Sequence, residues 1–135
     1  MTLSPIYSKT IKVPQSAIDE NGHVNNVIYI QWMQDIAVEH YASIGGIEAQ
    51  GVVSTWVIRE HRVEYLLPAF AEEEIQIRTW VESIRKVRSL RKYEFVRKAD
   101  SKVLVQGETD WVFVDTKTGR PRAVPETVIK VFNPA

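Results

Sequence analysis

The chain has 135 residues, with 17 Lys and Arg balanced by 17 Asp and Glu, so its formal net charge is zero; nothing in that balance asks for nucleic acid as a partner. It contains no cysteine, which excludes a disulfide framework, a thiol nucleophile and a thiolate metal site, and fits the cytoplasm. The length suits one domain with an ample core; Met1-Thr2-Leu3-Ser4-Pro5 lacks the basic and apolar segments of a signal peptide, and no apolar run is long enough to span a bilayer, so no membrane partner is expected.

Residues 6–13 read as a first strand, stopped by Pro14. A polar loop follows over residues 15–22. From Asn26 to about Ile44 the apolar residues Tyr29, Met33, Ile36, Ala37, His40, Tyr41 and Ile44 recur at three- and four-residue steps, which predicts a helix. Val27, Ile30, Trp32 and Val38 lie outside that face, so the helix should be covered on most sides. Gly45-Gly46 should end it, because glycine takes the left-handed C-cap conformation cheaply. The remainder reads as sheet: residues 52–67 up to Pro68, residues 74–81 with Ile75, Ile77, Thr79 and Val81 on one face, residues 90–98, and residues 103–115. Trp111 to Val114 is apolar on both faces, as expected of a central or interface strand. Asp115 to Pro121 reads as a turn, and Pro125 opens a short tail. Connections this short predict that consecutive strands pair antiparallel, with the one long helix across a face of the sheet. The pattern is an α+β fold.

The chemistry concentrates just ahead of the helix. Asp19, Asn21, His23, Asn25 and Asn26 set a carboxylate, an imidazole and three amides beside a helix start. A helix start offers unpaired N–H groups and partial positive charge. A carboxylate there could attack a carbonyl or activate a water while the N–H groups hold the oxyanion. A turn aspartate accepting backbone N–H bonds is the plainer reading of Asp19. His23 could orient a water, donate to a carbonyl, or tie the loop to the helix. Asn25 and Asn26 are good N-caps. Tyr29 and Trp32 could line an acyl pocket, although aromatics at helical spacing are more often core. His40 reads as a core histidine. His23, His40 and His61 lack the spacing of a metal site, and no Gly-rich phosphate loop or GxSxG elbow occurs; no cofactor is expected. The basic run Arg85, Lys86, Arg88, Arg91 and Lys92 brackets a strand connection. Such a run is usually a solvated face, and it could also meet phosphates.

The motif D-x-N-x-H-V-N-N-x-x-Y, running from Asp19 to Tyr29, resembles the start of the hotdog-fold thioesterases: the 4-hydroxybenzoyl-CoA thioesterase-like acyl-CoA hydrolases and the plant acyl-ACP thioesterases. Glu64-Tyr65-Leu66-Leu67-Pro68 and the ending Val114-Asp115 with Arg120-Pro121 and Pro125 are weaker echoes. The resemblance implies that residues 1–135 form a single hotdog domain, an antiparallel sheet wrapped around one long helix. It implies a thioesterase releasing free acid and thiol from an acyl-CoA or an acyl-carrier protein. Asp19 would be its general base or nucleophile, Asn21 and His23 would assist, and the main-chain N–H near Asn26 would polarise the carbonyl. Glu64 matches loosely a second acidic residue of the plant enzymes, and Arg85, Lys86 and Arg88 would receive the phosphates of coenzyme A. Gln34 and Ala17 stand where many members carry acidic residues. The resemblance also implies a homodimer or homotetramer whose sheets join edge to edge, with sites between subunits. A non-catalytic acyl-binding module is the alternative. A hotdog dehydratase fits less well, because the His-Phe-Pro pattern of that branch is missing.

Overall fold

The computed structural model describes residues 2–134. Strand β1, Tyr7–Lys12, leads through Pro14 and a short 3-10 turn, Gln15–Ala17, into the polar loop. Helix α1 spans Asn26–Ser43 and is capped by Asn25, whose side chain accepts the Val27 N–H at 2.9 Å. That bond satisfies one of the orphan donors of the first turn. The buried face of α1 is Tyr29, Met33, Ile36, Ala37 and His40, the period expected of a helix lying across a sheet. Gly45 ends α1 in the left-handed region, φ 82°, as predicted.

A second helix was not foreseen there. Helix α2, Gly46–Gln50, begins at once. Gly46 is required by packing: a Cβ at that position would lie 2.2 Å from the Tyr41 ring. The chain therefore turns at Gly45-Gly46 straight into α2, with Gly46 close against the Tyr41 ring, rather than running off as a loop.

Strands β2 (Ser54–Tyr65), β3 (Glu74–Arg85), β4 (Arg88–Arg97) and β5 (Val103–Asp115) complete a five-stranded sheet of order β1-β3-β4-β5-β2. Every pairing is antiparallel. β5 is internal, in keeping with its apolar run. The expectation that consecutive strands pair holds for β3, β4 and β5 and fails between β2 and β3: β2 pairs with β5, and β3 pairs with β1. The cause is the connection over residues 66–73. Its Ala69 is wholly buried and its carbonyl accepts the Val24 N–H at 2.9 Å. This anchor carries the chain past the residues that lead into α1, and β2 ends at one edge of the sheet while β3 lies next to the other.

Irregular register at Ile58/Glu60, Val81/Ser83 and Phe95/Val96 bends the sheet around α1. Close approach is needed where the two meet: a Cβ on Gly107 would stand 2.9 Å from Met33 Sδ. The main core joins Tyr29, Met33 and Ile36 of α1 to Ile75, Ile77, Tyr93, Phe95, Leu104 and Val105 of the sheet. A smaller cluster, Val81, Phe113, Val124, Val128 and Phe132, lies at the other end. The predicted tail supplies two of its five residues, because residues after Pro125 form helix α3, Glu126–Phe132. Val128 and Phe132, four apart, turn inward together.

Candidate active site

The polar loop is a small closed structure. Ile18 and Val24 form an antiparallel bridge, and within it Asp19 N–H donates to His23 O (3.1 Å) and Gly22 N–H to Asp19 O (3.0 Å). Gly22 takes φ 84°, which the turn demands and a side chain would resist. Asp19 Oδ1 accepts the Asn21 N–H at 2.9 Å. The second carboxylate oxygen takes no hydrogen bond from the described residues, and Asp19 is half-buried. Two further bonds hold the loop: Val24 N–H to Ala69 O and Asn25 N–H to Ala17 O, both 2.9 Å. His23 is half-buried, with Nδ1 3.4 Å from Val24 O, which leaves Nε2 for other work.

The Asn26 N–H follows directly on this turn. Among the described residues it has no acceptor, whereas its carbonyl receives the Tyr65 hydroxyl at 2.9 Å. Asp19, Asn21 and His23 thus share one closed turn, and the chain passes from it through Val24 and Asn25 to the Asn26 N–H at the start of α1.

The other candidates lie elsewhere. Tyr29 is a core residue at 2% exposure, edge-on to Trp32, Tyr65 and Phe95. Its hydroxyl has no partner, and burial, with lesser contributions from Glu73 and Tyr65, pushes its pKa up to about 12. Glu64 is exposed on β2, opposite Gln106. Arg85, Lys86 and Arg88 form the β3–β4 hairpin, which begins its return at Arg88 rather than at Leu90. Arg88 pairs with Asp110. The hairpin lies toward the far end of α1: its Ile84 packs against the same small cluster as Tyr41 and Ile44. An 18-residue helix is about 27 Å long, so one protomer does not bring these cations to Asp19.

Arg91 departs most from its expected place on a solvated basic face. β4 turns Ser89, Arg91, Tyr93 and Phe95 inward together. Arg91 Nη1 donates to His40 Nδ1 (2.8 Å) and Thr79 Oγ1 (3.1 Å), and its guanidinium stands 5.9 Å over Phe132. Burial lowers its pKa to about 10, so it stays charged at neutral pH. Burial, and secondarily the Arg91 charge, lowers His40 from its ordinary 6.5 to about 4. His40 is therefore neutral and accepts. A period-two reading of Arg91, Tyr93 and Phe95 could have found this; the density of basic residues around Arg91 concealed it.

A helix laid across a strongly bent five-stranded antiparallel sheet is the hotdog arrangement, and the solved structures this chain resembles share it. The 1,4-dihydroxy-2-naphthoyl-CoA thioesterase Slr0204 from Synechocystis superposes with a TM-score of 0.83 at 13% identity, over 95% of this chain and 96% of its own. SAV2348 from Staphylococcus aureus, solved in complex with CoA, gives 0.84 at 18% identity, over 97% and 83%. In sequence the chain is 27% identical over 126 residues to the acyl-CoA thioester hydrolase YbgC of Escherichia coli O6:H1, covering 90% of this chain and 92% of that protein. The profile of the thioesterase-like superfamily matches residues 13–132, and the chain belongs to that superfamily.

Proposed function

We propose that this protein is a thioesterase that hydrolyses acyl-CoA to free acid and thiol, with Asp19 as general base or nucleophile. The observation that supports the reading is a closed turn that leaves one Asp19 carboxylate oxygen without a hydrogen bond, followed at the start of α1 by an Asn26 N–H without an acceptor among the described residues. A thioester carbonyl seated on that N–H is polarised, and charge developing on its oxygen meets a donor at the positive end of α1. The free Asp19 oxygen then attacks the carbonyl carbon, expelling thiolate to leave an acyl-aspartyl anhydride that water hydrolyses to free acid and carboxylate, or it takes a proton from a water that attacks the carbonyl and expels thiolate directly. Thiolate leaves readily, so no strong acid is needed. His23 Nε2 and the Asn21 amide flank the same turn and position the water. The acyl-CoA reading agrees with the named activity of the YbgC relatives and with the CoA-bound neighbour. An acyl-carrier protein would present the same thioester.

The working unit is a pair of chains. β2 is a 12-residue strand that pairs only with β5, and Val57 and Tyr65 along it, with Val53 just before it, are exposed. Such an edge invites a second copy, and a two-fold axis normal to the sheet would join β2 to β2. Among the described residues no helix is long and apolar enough to cross a membrane, in keeping with a cytoplasmic enzyme. Thiol release from a panel of acyl-CoAs tests the proposal: turnover that depends on Asp19 supports it, and no turnover of any acyl-CoA or acyl-carrier thioester refutes it.

A further inference from the structure

Beneath the second half of α1 lies a cavity of about 210 Å³, walled by Trp56, Trp111 and Phe132. Its polar lining holds one cation, Arg91, and otherwise neutral groups, the hydroxyls of Ser89 and Thr55 and the Tyr41–Gln50 pair, with no acidic residue. Arg91 is 4% exposed and takes part in none of the ion pairs among the described residues. Nη1 makes both of its hydrogen bonds, and to neutral acceptors; Nε and Nη2 make none. A buried cation without a counter-charge is costly, and buried Arg is ordinarily paired. Planar guanidinium donors match a carboxylate in two-point geometry.

We infer that the cavity receives the far end of the acyl group and that Arg91 binds a carboxylate there, so that the substrates are short acyl thioesters carrying a second, free carboxylate. The inference rests on the thioesterase reading and gives its substrate class. The cavity is below the ~300–1,000 Å³ of sites for drug-sized molecules, which suits a short acid rather than a long chain.

The position of the thioester follows from the fold. α1 starts beside Tyr65, near the end of β2, and its second half lies over Thr55 and Trp56, near the beginning of β2. The helix thus runs opposite to its edge strand. Pairing β2 with β2 about a two-fold axis normal to the sheet leaves both helices on one face, antiparallel. The start of each helix then faces the second half of the other. Asp19 of one protomer and the Arg91 cavity of the next lie at the two ends of a single acyl site.

The test compares adipoyl-CoA with hexanoyl-CoA, which share a six-carbon chain and differ at the far carbon, and in parallel measures binding of hexanoate and hexanamide by calorimetry. A charge-assisted pair with the buried Arg91 predicts kcat/KM about 10- to 100-fold higher for adipoyl-CoA. Arg91→Gln should bring that ratio to near one, and Arg91→Lys should keep part of it. Hexanoate should bind, hexanamide should not, and Arg91→Gln should abolish hexanoate binding. The wild-type comparisons stand even if a variant fails to fold. Arg91-dependent binding of hexanoate without cleavage of any thioester would refute the hydrolase reading while upholding the carboxylate site. Hexanoyl-CoA equal to or better than adipoyl-CoA would overturn the substrate class, whether or not hexanoate binds. A weakened dimer in Arg91→Gln with both ligand comparisons unmoved would assign Arg91 to a carboxylate of the second copy and overturn the inference.

Discussion

Replacing Asp19 by Asn isolates one oxygen. In the native loop Oδ1 accepts the Asn21 N–H at 2.9 Å, while the other oxygen is free. An Asn side chain keeps an acceptor for that N–H, and the main-chain bonds from Asp19 to His23 and from Gly22 to Asp19 do not involve the side chain. The turn, the Ile18–Val24 bridge and the start of α1 should therefore survive, with a change in stability of at most about 1 kcal/mol, the scale of one exposed hydrogen bond. What is lost is the anionic base or nucleophile. Losing a positioned general base costs typically 10²- to 10⁴-fold, or about 2.7–5.4 kcal/mol of barrier. The expected result is kcat down about 100-fold or more with KM nearly unchanged, measured by thiol release on a variant whose melting curve matches the native one. Turnover within a few-fold of native in that folded variant would remove Asp19 from the mechanism. A parallel loss of structure would mean that the carboxylate serves the loop and not the reaction.

Three further outcomes are expected. His40 has a folded pKa of about 4 against an ordinary 6.5, so its contribution to stability is present above pH 6.5 and lost as pH falls towards 4; urea unfolding should show about 2 kcal/mol less stability at pH 5 than at pH 7 from this group, and a flat profile over that interval would contradict its neutral, acceptor role toward Arg91. Light scattering should find a dimer or dimer of dimers of the 15.5 kDa chain, and Val57→Asp on the exposed edge of β2 should shift it toward monomer with loss of activity; a stable, active native monomer at micromolar concentration would refute the shared site. Neutralising Arg85 and Lys86 together should raise KM for acyl-CoA several-fold with kcat nearly unchanged, because phosphates far from the carbonyl contribute uniform binding; the same pair should leave a short acyl-pantetheine unaffected, and KM for acyl-CoA unmoved by charge removal or salt would make the hairpin a solvated tip.

Local rules carried the reading of the sequence where the relevant contacts are local. The span of α1, its Asn25 cap and its stop at Gly45 follow from side-chain spacing and capping chemistry within a few residues. The strand over Val103–Asp115 was legible because its apolar run is bounded by turn residues on both sides. The loop of Asp19, Asn21 and His23 was legible as a constellation because those groups sit within five positions. The partnership of β2 with β5 was not, because it depends on where a buried Ala69 pins a connection, and alanine carries no pairing signal. α3 was missed because seven residues hold too few turns to show a period. Arg91 was hidden because charge predicts solvent and only the strand's alternation opposes it.

The detour of residues 66–73 also bears on how the protein is made. β3, β4 and β5 follow one another through tight turns and can zip up as a meander from neighbouring residues. The two outer strands cannot: β1 must find β3, as in Tyr7 with Thr79, and β2 must find β5, as in Ser54 with Asp115. Each closes a long loop before any ladder bond is gained, and such distant pairings slow folding. During synthesis β1, α1 and β2 all emerge before their strand partners exist. The apolar side chains of β2 then wait uncovered until β5, made last of the five, arrives to receive them, and that interval is when this chain is most open to misassociation.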